Sequence, residues 1–323
     1  MKYSLIIITT LTALLYANVV NAQQEPQFTQ NMFYTNNWNP GFAGNENAIA
    51  AVGAYRYQWA GFKDAEGNHV APETFFVNLC APVKILRGGL SGVVISDELG
   101  FEKTVTVKLG YAYQRKIGFG KLGIGVQADL HNRIIDFAKF KAVDKSDPVL
   151  LGGEQSDMLI DFSFGVFYKV PGSYYFGLSG VNLLESEGAP LTSTSGSGGV
   201  RLNLDRTFYL EGGYDFVFPS NPAIAILPSV LIKTNMSSLQ MDIAALVKYK
   251  EAFWAGMSYR LQDAVSLMAG VQYKDIKIGY SYDIIVSSLN LSVTGGSHEV
   301  MLGYSFKLET ERGRTSYKNT RFL

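Results

Sequence analysis

From Ile49 to Phe306 the chain alternates, segment after segment, between apolar residues and small or polar ones. A period of two belongs to a strand, because successive side chains leave opposite faces of the backbone. In the last such segment Val300, Leu302, Tyr304 and Phe306 share one face, and Glu299, Gly303 and Ser305 share the other. Leu122, Ile124, Val126, Ala128 and Leu130 are set against Gly123, Gly125, Gln127 and Asp129. Ile160, Phe162, Phe164, Val166 and Tyr168 oppose Asp161, Ser163, Gly165 and Lys169; Ile276, Ile278, Tyr280, Tyr282 and Ile284 oppose Lys277, Gly279, Ser281 and Asp283. So many one-sided strands have no obvious second layer to cover them, whereas lipid would. In hydrocarbon an open sheet edge leaves N–H and C=O groups unpaired, so strands that cross must close into a barrel, the last pairing with the first.

The composition fits. With 47% hydrophobic and 17% charged residues the chain is too apolar for disorder, and its 33 Gly, 19 Tyr and 20 Phe favour sheet over helix. Acidic and basic residues balance, 28 against 28, with no basic patch to neutralise phosphates, so nucleic acid is excluded as a partner. Cys80 is the single cysteine and forms no internal disulfide. At the start, Lys2 precedes an apolar run from Ser4 to Tyr16 and a small-residue Val20-Asn21-Ala22 site, which reads as a signal peptide over 1–22. No later window of about 18 apolar residues offers a helical span. Export without a spanning helix points to an all-β, transmembrane antiparallel barrel in a bacterial outer membrane.

The pattern predicts about fourteen strands, at 48–59, 73–82, 88–98, 102–115, 121–136, 157–169, 173–184, 199–216, 223–233, 238–249, 252–261, 264–273, 276–285 and 297–307. Residues 23–47, with Pro26, Asn39-Pro40-Gly41 and Gly44 as breakers, form an irregular leader; 48–307 are the barrel and 308–323 a charged tail. Connections after even-numbered strands are short, and long ones such as 60–72, 137–156, 185–198 and 286–296 follow odd-numbered strands. Outer-membrane barrels keep short turns in the periplasm and long loops outside, so both ends of the barrel, the leader and the tail are expected on the periplasmic side. A soluble β-sandwich would alternate too, but would carry more charge on its outer faces.

Chemistry-bearing motifs are few. Gly118-Phe-Gly-Lys-Leu-Gly123 has the letters of a dinucleotide fingerprint but leads into a strand, where phosphate binding needs a helix N-terminus. His69, His131 and His298 lack metal-ligand spacing, and no G-x-S-x-G elbow occurs. His298 and Glu299, adjacent on a strand, point to opposite faces and cannot act as a dyad; His298 reads as an interface residue. No cofactor, metal or catalytic residue is indicated. Inward positions carry Asp129, Asp161, Glu211, Asp242, Asp283 and Glu299 with Lys169, Lys248, Arg260 and Lys277. Both signs in similar number suit a lumen network that stiffens the barrel better than a selective pore. Tyr57, Trp59, Trp254, Tyr259, Tyr273 and Tyr304 read as interface aromatics.

The leader blocks EPQFTQNMF (Glu25 to Phe33) and NPGFAG (Asn39 to Gly44), then YRYQWAGF (Tyr55 to Phe62), resemble the start of the PorP/SprF family of type IX secretion outer-membrane proteins of Bacteroidetes. The run from Met241 to Arg260, GYSYD (Gly279 to Asp283) and GSHEVMLGYSF (Gly296 to Phe306) look like later blocks of that family, in the same order. The matching positions are Gln27, Phe28, Gln30, Asn39, Pro40, Gly44, Arg56, Gln58, Trp59, Asp242, Trp254, Tyr259, Arg260, Gly279, Tyr280, Tyr282, Asp283, His298 and Glu299. The resemblance implies a non-enzymatic role in secreting or anchoring large substrates such as gliding adhesins. It implies outer-membrane lipid as surroundings, and the long loops after odd-numbered strands suggest the extracellular side as the place where an exported adhesin's C-terminal domain is held. It also implies periplasmic ring or peptidoglycan-binding components as further partners. The alternative is a passive channel or uptake porin.

Overall fold

The computed structural model describes residues 25–46, 48–63, 67, 70–137, 153–189, 201, 203–287 and 294–307. The wall is built from β1 (Ala48–Tyr57), β2 (Glu73–Val83), β3 (Gly88–Leu99), β4 (Glu102–Ile117), β5 (Gly120–Asp136), β6 (Glu154–Val170), β7 (Tyr174–Val181) and β8 (Thr207–Tyr214). It continues with the two-residue β9 (Phe216–Val217), β10 (Ile224–Thr234), β11 (Leu239–Tyr249), β12 (Phe253–Arg260), β13 (Ala264–Tyr273), β14 (Ile276–Ile285) and β15 (Ser297–Lys307). β9 follows β8 alongside the same partner, β10, so the wall has fourteen staves. Each stave pairs antiparallel with its neighbours, and β15 pairs with β1 from Tyr57↔His298 to Ala48↔Lys307. The expected barrel is therefore closed, each stave pairing with one on either side among the described residues.

The alternation sorts the side chains between lipid and lumen. Leu109, Val126, Ile160, Phe162, Leu267, Ile278, Leu302 and Phe306 face outward and exposed, while Gln127, Asp129, Asp161, Ser281, Asp283 and Glu299 are buried inside. Stave ends at Gly100-Phe101, Asn235 to Ser238 and Leu261 to Asp263 share a rim with the long connections; the turns at Lys84 to Arg87, Gly118-Phe119 and Lys274-Asp275 lie at the other. The Gly118 fingerprint is such a hairpin tip, with Gly118 at φ +57° and no helix after it.

Four expectations are corrected. The strand predicted over 199–216 begins only at Thr207, because the chain before it folds onto the preceding loop. There Arg206 donates to the Leu183 carbonyl at 2.8 Å, Asn182 to that of Asp205 at 3.3 Å, and Asn203 bridges Glu187. The preceding strand, predicted to run to 184, stops at Val181, since Asn182 turns into the left-handed region at φ +54°. Trp254, expected in the interface girdle, points inward and is buried.

The fourth correction concerns the leader. Its expected place is the periplasmic side, yet Glu25 to Asn45 threads the lumen from the long-loop rim to the short-turn rim. Gln27 pairs with Gln240 near the first rim, and Lys121, next to the β4–β5 turn, donates to the Gly44 and Asn45 carbonyls at 3.1 and 3.2 Å near the second. Phe28, Tyr34 and Trp38 give the physical reason: water offers these rings nothing, whereas the inner wall buries them to 5% exposure or less. The leader folds as three 3-10 turns, Asn31–Phe33, Thr35–Asn37 and Pro40–Phe42. Asn39 caps the last by accepting from the Gly41 N–H at 3.0 Å, with Pro40 at the first position, where no N–H is needed. The signal segment 1–22, His69 and the tail 308–323 lie outside the described residues.

Candidate functional site: the lumenal plug

Five staves around the seam hold the leader by charge. Arg56 on β1 reaches Asp283 on β14 at 2.7 Å, Glu299 on β15 at 3.3 Å and the Thr29 hydroxyl at 2.9 Å. Glu299 in turn accepts from the backbone N–H groups of Thr29 (2.8 Å) and Gln30 (3.0 Å) and from the Tyr34 hydroxyl (3.2 Å). The Thr29 hydroxyl donates to Asp283 at 2.6 Å. Arg260 on β12 donates to Asp242 on β11 at 3.3 Å and to Asp263 at 3.2 Å, and Asn31 from the leader donates to the same Asp242 at 3.3 Å. Arg56, Asp283 and Glu299 are all 2% exposed or less. Charges so deeply buried are tolerated only when mutually paired and hydrogen-bonded, and here the leader's own N–H groups complete the set.

The opposite wall holds the leader by shape. On β5, β6 and β7 the inward positions beside Asn39-Pro40-Gly41 are Gly123, Gly125, Gly165 and Gly177. A Cβ at Gly123 would overlap the Gly41 carbonyl, one at Gly125 the backbone of Pro40, and one at Gly165 the Asn39 side chain. At Gly177 it would stand 2.6 Å from Asn39 Nδ2. Glycine is required here because backbone lies against backbone. Asn39 anchors the approach, donating to the Val166 carbonyl at 3.2 Å and to Glu211 at 3.0 Å. Phe42 packs edge-on to Phe167 with ring centroids 5.0 Å apart.

Rings join the two walls. Phe28 and Tyr34 both meet Phe76, at 5.1 and 4.9 Å; Trp38 stacks on Tyr209 at 5.8 Å, and Phe33 meets Trp254 at 5.2 Å. Each such pair adds about 0.5–1.5 kcal/mol beyond its buried area. Lys108, 1% exposed, donates to the Asn37 carbonyl at 2.9 Å and sits 3.5 Å from Glu25. Burial alone would push the Glu25 carboxyl up, but nearby Lys108, His131 and Lys233 outweigh it and hold the group below its usual range.

Of the motif positions read from the sequence, thirteen meet at this junction: Gln27, Phe28, Gln30, Asn39, Pro40, Gly44, Arg56, Asp242, Trp254, Arg260, Gly279, Asp283 and Glu299. Gly279 lies under Gln30, and Gly44 lies against Gly89. Six do not. Tyr259, Tyr280, Tyr282 and His298 face outward, with His298 Nδ1 2.7 Å from the Tyr280 hydroxyl. Gln58 and Trp59 begin the first long loop, Trp59 at φ +53°. Tyr34, Trp38, Lys108, Gly125, Gly165 and Gly177 belong to the site but lie outside the quoted motifs, while Thr29 lies in the first family block without being singled out and Gly123 closes the Gly118 fingerprint. Their signal lies in the glycines that recur on the inward face of neighbouring strands, where side chains filling a lumen would otherwise be expected. Of the remaining inward charges, Asp161 accepts from the Leu184 and Ser186 N–H groups, Asp129 from Gln127 and Ser163, Lys277 lies 4.7 Å over the Phe33 ring, and Lys248 is 4.0 Å from Glu251.

The family model described as Type IX secretion system membrane protein PorP/SprF matches residues 20–304. The chain belongs to the PorP/SprF family. Its members are membrane components of type IX secretion, and the closed wall makes this PorP/SprF chain an outer-membrane protein. Comparison with curated proteins gives no match. Among solved structures it is similar to a Pseudomonas aeruginosa FadL homologue, at 13% identity over 80% of this chain and 90% of that one, TM-score 0.44. A TodX monoaromatic hydrocarbon channel mutant aligns at 11% identity over 84% and 93%, TM-score 0.46. The KdgM porin aligns at 11% identity over 80% and 99%, TM-score 0.38.

Proposed function

We propose that this PorP/SprF protein is a plugged, non-enzymatic barrel that supports secretion and surface anchoring of large type IX substrates such as gliding adhesins. Its long loops, placed outside the cell by the usual barrel orientation, hold the C-terminal domain of the exported substrate. Periplasmic ring or peptidoglycan-binding components meet the short-turn rim and the tail 308–323, not the leader, whose side chains are committed to the lumen. The observation that carries this reading is the leader itself. A pore for small solutes needs a continuous water path, and here a bound chain with buried rings occupies the middle of the lumen.

Pull-down of the substrate with chains lacking 137–156 or 185–198 tests the capture role: capture is lost on deletion, and undiminished capture by both deletions ends the proposal. The porin alternative makes the opposite prediction in planar bilayers. The full chain is expected to be electrically silent, and steady large conductance would restore the channel reading.

A further inference from the structure

Beside the first described residues of the leader, at the long-loop rim, the wall encloses a cavity of about 310 Å³. Its charged lining is mainly acidic, Glu25, Asp97 and Glu102 against Arg133 and His131. Two of the three carboxylates already hold a cation. Glu102 takes the Arg133 guanidinium through two N–H groups, one at 2.8 Å, and Glu25 faces the Lys108 ammonium at 3.5 Å. Asp97 has a hydroxyl, Thr74 Oγ1 at 2.5 Å, and no cation bound to it among the described residues.

The same lining contains two polar atoms without a hydrogen-bond partner among the described residues, Asn182 Oδ1 and His131 Nε2, on side chains 2% and 6% exposed. These two atoms, beside a carboxylate that has a hydroxyl but no cation, leave hydrogen-bonding capacity directed into the cavity. Ile95, Leu159 and Leu204 give the remaining wall an apolar surface. No three His, Cys, Asp or Glu side chains among the described residues are placed to share a metal ion. With a carboxylate and an amide oxygen on one part of the lining and apolar side chains on another, the lining is matched by an alkyl chain that ends in positively charged N–H donors.

We propose that this cavity receives a lysine or arginine side chain of the exported partner. Asp97 takes the charge, Asn182 Oδ1 accepts a second N–H, and the alkyl stem lies along Ile95 and Leu159. This rests on the reading that the long-loop rim captures the substrate, and it names the chemistry by which it does so.

The full chain in detergent micelles, titrated calorimetrically with N-acetyl-lysine amide, N-acetyl-arginine amide and uncharged N-acetyl-norleucine amide, tests it. At least one cationic amide binds saturably and the norleucine amide does not. Asp97→Asn weakens that binding about tenfold or more, as loss of a charged hydrogen bond should. Asn182→Ala weakens it by a smaller factor, and Leu267→Val, on the lipid face of the wall, leaves it unchanged. Absence of saturable binding by both cationic amides overturns the proposal, as does equal affinity of Asp97→Asn and the parent, or norleucine binding as well as lysine. Heat-dependent gel migration confirms that each variant is a folded barrel; if Asp97→Asn is not, unchanged binding by Asn182→Ala is the overturning result. The titration contains no substrate protein, so its failure can be told apart from failure of the loop-deletion pull-down.

Discussion

The two sides of the lumen hold one leader by opposite means. Around the seam, β1, β11, β12, β14 and β15 grip Thr29 to Tyr34 with two arginines and three carboxylates, while β5 to β7 remove side chains so that Asn39 to Gly41 lies flush on the wall. Charge at low dielectric is strong but unforgiving, because removing one member leaves the others unpaired. A glycine strip carries no such liability, yet it tolerates no added atom. The lesson is that one plug can be fixed in register by ions at one end and in depth by sterics at the other.

Breaking the charged side should have the largest effect. Arg56→Met leaves Glu299 without its cation and Asp283 with only the more distant Arg260 at 3.9 Å, and a loss of about 3–5 kcal/mol is expected, read as a shifted urea-unfolding midpoint in lipid vesicles. On the glycine side, Gly125→Ala pushes a methyl into Pro40. Its cost should be about 1–3 kcal/mol, with flickering conductance in bilayers as the plug lifts. Should Gly125→Ala cost more than Arg56→Met, the contrast between the two walls is drawn the wrong way round. Asn39→Ala removes a turn cap and the donor to Glu211, for about 0.5–2 kcal/mol by the same unfolding assay.

A pH titration sharpens the comparison at the leader's first residues. Glu25 has its carboxyl held below the ordinary value, so its contribution is fully present above about pH 4.5 and is lost as pH falls through the lowered value. Amide hydrogen exchange around Gln27, measured against the intrinsic rate at each pH, should accordingly lose protection as Glu25 is protonated, while exchange around Gly41, which lies against the glycine strip, should lose less. The smallest effect is expected from Glu185→Gln, which breaks the exposed 3.1 Å pair with Arg206 and should change stability by no more than about 1 kcal/mol.

The wall is legible in the sequence because lipid on one face and polar or small groups on the other impose a strict period of two along the staves. The eighth stave is overextended in that reading because Val200 and Leu202 alternate with polar residues just as a strand would, while the hydrogen bonds of Arg206 and Asn182 that divert the chain are tertiary. The leader's irregular character is readable from its Pro, Asn and Gly residues. Its location is not, since it is set by Glu299, Asp283 and four glycines more than seventy residues away in sequence. Trp254 is misplaced for the same reason: an aromatic near a strand end suits a membrane interface equally well until Phe33 arrives beside it.

Glu299 belongs to the final stave, and both its carboxylate oxygens are taken by the leader's N–H groups. A slip of one residue in that stave would turn Glu299 toward lipid and bring Val300 to the leader, exchanging two charged hydrogen bonds for none. The first segment to emerge thus acts as a ruler for the last, so that the cylinder can seal only at one length of overlap, and the polypeptide inspects its own completion from within.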